Sequence, residues 1–310
     1  MHLAYSTEDA YCSWISRYYS FCARLDRALP PEQKMERFLT DLAVRCRVAA
    51  RTQNQAFSAL LFLYKEVLEV PLGEVEGLRA KKPRFERSSP SRAQIRDLRA
   101  AVEDTPHTPA RLLVDLMYGC GLRVSEPLEL RVKDLLWGEG RYGLLNIKGA
   151  KGGKDRKVPI PACCAEPLRR QTERARAVWN WDRTHAAAVG VPLPFRMAEK
   201  YPKAPFQWQW FWLFPAPNIS VDPRQGVRVR YHLLQDAVQR CVQKAAVKAG
   251  LEGLVTPHVL RHAYATHSRE SLDALRELLG HSSIETTAGY LHPVVDGASN
   301  PLDDLAEGER

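Results

Sequence analysis

Thr256-Pro-His-Val-Leu-Arg-His-Ala-Tyr-Ala-Thr-His267 is the stretch on which the reading of this 310-residue chain turns. A threonine before a proline opens a helix. The hydroxyl caps a free backbone N–H, and Pro257 fills a first-turn position that needs no donor. On that helix His258 and Arg261 stand three apart and share a face. Leu272 to Leu279 reads as a further helix, closed by Gly280. His281 follows at once, and Ser282-Ser-Ile-Glu285 has the spacing of a capping box opening a helix toward Tyr290. Far upstream, Gly119-Cys-Gly-Leu-Arg-Val-Ser-Glu126 supplies a second arginine, Arg123.

These residue types suit one phosphate. Phosphoryl transfer needs a nucleophile, positive charge on the non-bridging oxygens and a proton donor for the leaving oxygen. Two guanidiniums suit the clamp. A tyrosine can attack, but a phenol titrating near pH 10 needs activation by nearby cations or a histidine base. The glycine-rich Lys148-Gly-Ala-Lys-Gly-Gly-Lys-Asp-Arg156 offers a lysine as proton donor, and spacing does not choose among Lys148, Lys151 and Lys154. It is not a P-loop, because the G-x-x-x-x-G-K-[ST] spacing is absent. Each residue also has a plain structural reading: Arg123 as a salt-bridge partner of Glu126, the histidines as satisfied structural groups. His258 and His262 mimic a zinc pair, but Val-Leu-Arg between them lacks the general-base glutamate, so no metal is expected. Only the ordered set points to chemistry.

The net charge of +9 fits a polyanionic partner such as nucleic acid. The seven cysteines contain no C-x-x-C pair, which argues against a disulfide framework and for a reducing cytoplasm. No apolar run approaches the roughly 20 residues that span a membrane. The polar, acidic start does not read as a signal peptide.

Residues 1 to about 78 read as all-helical, with helices over Glu8–Ala23, Glu32–Arg45 and Thr52–Val70. Arg45, Arg47, Arg51 and Gln53 are candidates to face DNA. A basic Pro/Ser-rich tether, Arg79 to Ser91, carries Lys81 and Lys82, both candidate phosphate contacts, and divides the chain into expected domains 1–84 and 85–310. In the second, helices follow over Ser91–Glu103 and Pro109–Tyr118, and a short helix carries Arg123 and Glu126. Strands follow at Leu144–Ile147 and Lys157–Ile160, then a helix over Cys164–Ala188. An aromatic and proline-rich segment at about 190–217 looks inserted, serving either as a small satellite core or as a platform for stacked bases. Tyr231 to Gly250 reads as an amphipathic helix.

The ordered set resembles the tyrosine recombinases, the family of the lambda integrase, Xer and Cre proteins. Gly121-Leu-Arg-Val-Ser-Glu126 matches the first-arginine box, Lys151-Gly-Gly-Lys-Asp-Arg156 the hairpin box, and His258-Val-Leu-Arg-His262 the H-x-L-R-H box. Leu278-Leu-Gly-His281 with Tyr290 matches the last. The resemblance implies a multidomain, mostly helical fold. An all-α N-terminal core-binding (SAM-like) bundle precedes a mixed α/β catalytic domain with a small β-hairpin sheet. It implies Arg123, Lys151, His258, Arg261, His281 and the nucleophile Tyr290 as catalytic set, no metal or other cofactor, and a homotetramer on DNA. Within the family the chain is most similar to the integron integrases, through Thr52-Gln-Asn-Gln-Ala56, Leu60-Leu-Phe-Leu-Tyr64, Arg131-Val-Lys-Asp134 and the segment from Lys200 to Gly226. That likeness implies integration and excision of gene cassettes at duplex attI-like sites and folded single-stranded attC-like sites. Trp210, Pro223, Tyr231 and His232 become the candidates for extrahelical bases. The connector Thr266–Leu275 is about three residues shorter than the family's usual one and lacks its Gly-x-Asp-Ile-Arg signature. Three other readings stay open: a Xer-like or phage-type recombinase on duplex sites, a type IB topoisomerase, and a weakly active DNA-binding relic.

Overall fold

Alanines at helical spacing let the first three helices approach closely. In the computed structural model, residues 5–73, 75, 89–149, 155–185, 189–193, 196–223 and 225–280 are described, and the chain divides into two compact units, 1–87 and 88–310. The first contains α1 (Tyr5–Cys22), α2 (Pro31–Val44) and α3 (Ala50–Phe62), the last prolonged by a π-helical turn over Leu63–Val67. Ala56 and Ala59 are fully buried beside Trp14, Tyr18, Met35, Phe38 and Leu60. The Tyr18 and Tyr64 hydroxyls meet at 2.9 Å inside this core. Gln53, expected to face outward, instead points in. Its Nε2 donates to the Leu39 carbonyl at 2.9 Å, tying α3 to the preceding helix. Arg45 and Arg51 are exposed.

The second unit is built on α5. Ser91 caps α4 (Arg92–Ala101) with a full capping box. α5 (Ala110–Gly119) is buried along almost its whole length. Its Asp115 is held by Arg99 at 2.8 Å. Gly121 then turns the chain at φ +61° into α6 (Ser125–Leu128), so Arg123 stands just before this helix and not within it. β1 (Leu135–Leu136), β2 (Leu144–Ile147) and β3 (Arg156–Pro159) form an antiparallel sheet in that order, with Leu145 opposite Val158. α7 (Ala162–His185) and α8 (Arg196–Lys200) lead into a second antiparallel pair, β4 (Pro215–Val221) and β5 (Arg228–His232). Prolines are tolerated in β4 because it pairs on one side only. α9 spans Gln235–Lys248, α10 Pro257–His267 and α11 Leu272–Leu279.

The helix expected from Tyr231 begins four residues later, and Tyr231 and His232 belong to β5. Long-range pairing decides this: Pro215 opposes His232, and the Trp212 indole N–H donates to the Arg230 carbonyl at 3.0 Å. The 190–217 segment packs a satellite core against α7, in which Val191, Phe211 and Trp212 are buried with Ala175 and Trp208 and Trp210 are half-buried, while Phe214 joins the main core. It is stitched to the body at Arg131. The guanidinium lies 3.8 Å from the Trp212 ring and donates to the Trp210 and Pro192 carbonyls at 2.6 and 2.8 Å. Among the described residues no helix is long and apolar enough to cross a membrane.

Two glycines with similar backbone separate strain from crowding. A Cβ at Gly121 (φ +61°) would lie 2.5 Å from Tyr264 of α10, whereas at Gly250 (φ +70°) it meets open space. Gly250→Ala is expected to cost only the left-handed strain, about 1–2 kcal/mol. Gly121→Ala is expected to cost more, since a packed tyrosine must also move, roughly 2–4 kcal/mol in urea unfolding.

Candidate active site

One carboxylate gathers the basic residues. Glu126, 4% exposed on α6, accepts from the Arg123 backbone N–H at 2.8 Å and from Arg123 Nη1 at 2.7 Å. Arg156 at the start of β3 binds it with both ends of its fork, Nη1 at 3.0 Å and Nη2 at 2.7 Å. Arg261 of α10 stands 3.7 Å from the same carboxylate. Burial alone would push the Glu126 carboxyl up. The Arg156 hydrogen bonds and charge, the Arg123 N–H and the Arg261 charge outweigh it and hold the group below its ordinary value.

The same arginines grip the end of α11. The last carbonyls of a helix have no partner within it. Here Arg156 Nε donates to Leu278 O at 2.7 Å and Arg261 Nη2 to Leu279 O at 2.6 Å. Arg261 Nη1 also reaches Gly121 O at 2.8 Å, joining α10 to the turn before Arg123. Gly280 ends α11 in the left-handed region at φ 63°, where a Cβ would press on Arg156 at 3.3 Å. The connector between α10 and α11 therefore delivers α11 onto the arginine cluster. Ser271 caps it, accepting from the Ala274 N–H at 3.3 Å, and Leu275 and Leu279 pack on Tyr264.

Thr256 caps α10 as expected, with its hydroxyl accepting from the Val259 N–H at 3.4 Å. His258 is exposed on this helix, edge-on to His262 with ring centres 5.2 Å apart. It lines a cleft of 460 Å³ with Val124, the neighbour of Arg123. The structure thus brings Arg123 and Arg261 onto one carboxylate, and the cleft of His258 reaches the residue next to Arg123. Arg123 keeps 31% of its side chain exposed while paired with Glu126, so one salt bridge and one solvent-facing cation coexist. Lys151, His281 and Tyr290 lie outside the described residues, as do Lys81 and Lys82.

A profile of the phage integrase family matches residues 91–295, and one of the phage integrase N-terminal SAM-like domain matches residues 1–74. The chain belongs to the phage integrase family, the tyrosine recombinases. It is accordingly a DNA-cleaving and rejoining enzyme. An Escherichia coli protein named "Integrase/recombinase" is 37% identical, the match covering 98% of this chain and 90% of the relative. The tyrosine recombinase XerD of Agrobacterium fabrum is 31% identical over 93% and 85%. A lambda integrase dimer bound to a COC' core site shares the fold at TM-score 0.59 and 19% identity, over 93% of this chain and 89% of that one. A lambda integrase tetramer bound to a Holliday junction does so at 0.60 and 17%, over 96% and 76%.

In this recombinase Arg156 is the site residue that motif reading passed over. Period-two alternation with buried Val158 placed it on the inward face of β3, and a cation at an inward position signals a buried partner. The base-contact candidates divide. Tyr231 is 40% exposed, Trp210 half-buried, and Pro223 lies in the β4–β5 turn. His232 is buried, with its ring 5.0 Å from Trp212 and its Nδ1 2.8 Å from the Leu233 carbonyl. With Tyr231 it also lines a cleft of 540 Å³. Among the described residues no group of three His, Cys, Asp or Glu side chains could hold a metal ion.

Glu126→Gln leaves buried guanidiniums without their counter-charge, and at neutral pH it is expected to cost about 3–5 kcal/mol in urea unfolding. The lowered folded value of Glu126 means that its stabilisation is present above the ordinary 4.5 and is lost as pH falls below it. The gap between wild type and Glu126→Gln is therefore expected to narrow as unfolding is repeated at progressively lower pH.

Proposed function

We propose that this recombinase cuts DNA through Tyr290, forming a 3′-phosphotyrosine, and acts as an integron integrase on attI-like duplex and attC-like folded single-stranded sites. One observation supports the catalytic assignment: arginines from separate boxes converge on buried Glu126, and Val124, next to Arg123, lines a cleft with His258. Arg123 and Arg261 hold the non-bridging oxygens of the scissile phosphate. His258 and His281 move protons at the phenol and the phosphate, and Lys151 protonates the leaving oxygen. The phosphotyrosine conserves bond energy, so the chemistry needs neither metal nor nucleotide. The working form is a homotetramer on two DNA sites, in the cytoplasm.

The integron assignment is supported by the 190–217 segment and its continuation into β5. Exposed Tyr231 offers a ring face for unstacked bases, half-buried Trp210 offers the face that Lys133 does not cover, and Arg131 fixes the segment to the catalytic unit. Arg45, Arg51, Lys81 and Lys82 track the phosphates.

A nicked suicide substrate tests both levels. Wild type is expected to trap a covalent complex and Tyr290→Phe none; trapping by the variant would defeat the nucleophile assignment. Binding to a folded attC-type strand is expected to exceed binding to its duplex, with the preference lost in Trp210→Ala. Equal binding would favour a duplex-site recombinase of the Xer or phage type.

A further inference from the structure

The β2–β3 hairpin enters and leaves its turn on Lys148 and Asp155. Lys148 Nζ donates to Asp155 Oδ2 at 2.8 Å, and the Gly149 N–H donates to Oδ1 at 3.1 Å. Both side chains are about half exposed, at 53% and 48%. A pair so exposed fixes a side chain weakly. The same ammonium lies 4.0 Å from Asp134 Oδ1.

Asp134 differs from Asp155 in being buried, at 2% exposure. Its Oδ2 accepts the Arg131 N–H at 3.0 Å. Its Oδ1 has no hydrogen-bond partner among the described residues. A buried carboxylate oxygen without a donor is costly and rarely left so. The other cations nearby are committed elsewhere, Lys133 with its Nζ 3.1 Å from the centre of the Trp210 ring and Arg131 with its guanidinium on the Trp210 and Pro192 carbonyls. Lys148 is therefore the group placed to complete Asp134. A shift of about 1 Å brings it to hydrogen-bond distance. An ammonium has three donors, so Asp155 need not be released.

We propose that Asp134 is a positioning residue, the inner seat for Lys148 that fixes the base of the hairpin against the catalytic unit when DNA is bound. Lys151 lies three residues beyond Lys148. The effect on cleavage thus rests on the assignment of Lys151 as proton donor. Seating of Lys148 sets the rate of bond cleavage and leaves DNA affinity unchanged.

The test is single-turnover formation of the covalent complex on a nicked substrate at saturating DNA, with Kd and melting temperature measured in parallel. Lys148→Met and Asp134→Asn are each expected to slow it about tenfold at unchanged Kd, the order of loss that a small misplacement produces. Lys148→Arg keeps the charge and is expected to stay within about twofold of wild type. The Lys148→Met/Asp134→Asn double variant is expected to be no slower than Lys148→Met. Wild-type rates in either single variant, a changed Kd as the whole effect, or multiplied losses in the double variant overturn the proposal. Should Asp134→Asn melt early, Lys148→Met against Lys148→Arg decides. Lys151→Ala is run alongside. Normal cleavage by that variant would refute the proton-donor assignment, whereas normal cleavage by Asp134→Asn alone refutes the inner seat.

Discussion

A single buried carboxylate carries the catalytic unit. Glu126 is out of water, and a charge in that position persists only when it is paired and hydrogen-bonded. Arg123, Arg156 and Arg261 supply the pairing, from three different segments of the chain. Segments that local preference leaves far apart must therefore meet, because the charge is too costly to leave otherwise. The arginines are in turn held in geometries that solvent would not enforce.

The consequence reaches α11. Its terminal carbonyls are bound by Arg156 and Arg261, so the helix ends on the same cluster that orders Arg123. The connector after α10 delivers it there, because Ser271 starts the helix and Leu275 and Leu279 seat it on Tyr264. Positive charge near a helix C-terminus also opposes the negative end of its dipole. Structure and charge thus favour the same arrangement at the point where the chain continues to His281.

What could be read in the sequence was local. The Thr256-Pro257 opening, the helix start at Ser91, the Gly280 stop and the three-residue spacing of Arg123 and Glu126 are all short-range signals, and each appears in the fold. What could not be read was long-range. Tyr231 and His232 sit in a stretch compatible with a helix start, and only pairing with β4 makes them a strand. Gln53 is polar and was expected outside, yet the Leu39 carbonyl of α2 satisfies it within. Arg156 lies amid lysines that suggest a solvated loop, and its partners Glu126 and Leu278 are 30 and 122 residues away. The aromatic segment combined both: its richness was visible, but which rings are core and which face outward depended on Arg131 beneath them.

Whether Glu126 and Arg156 act as one unit in the chemistry is settled most directly by a double-mutant cycle read in single-turnover DNA cleavage. Glu126→Gln, Arg156→Met and the double variant are compared at saturating DNA. If the buried pair organises the arginines, the double variant cleaves no more slowly than the worse single variant. Losses that multiply, with each variant folded, would show that the two residues act independently and would contradict the central place given to this carboxylate.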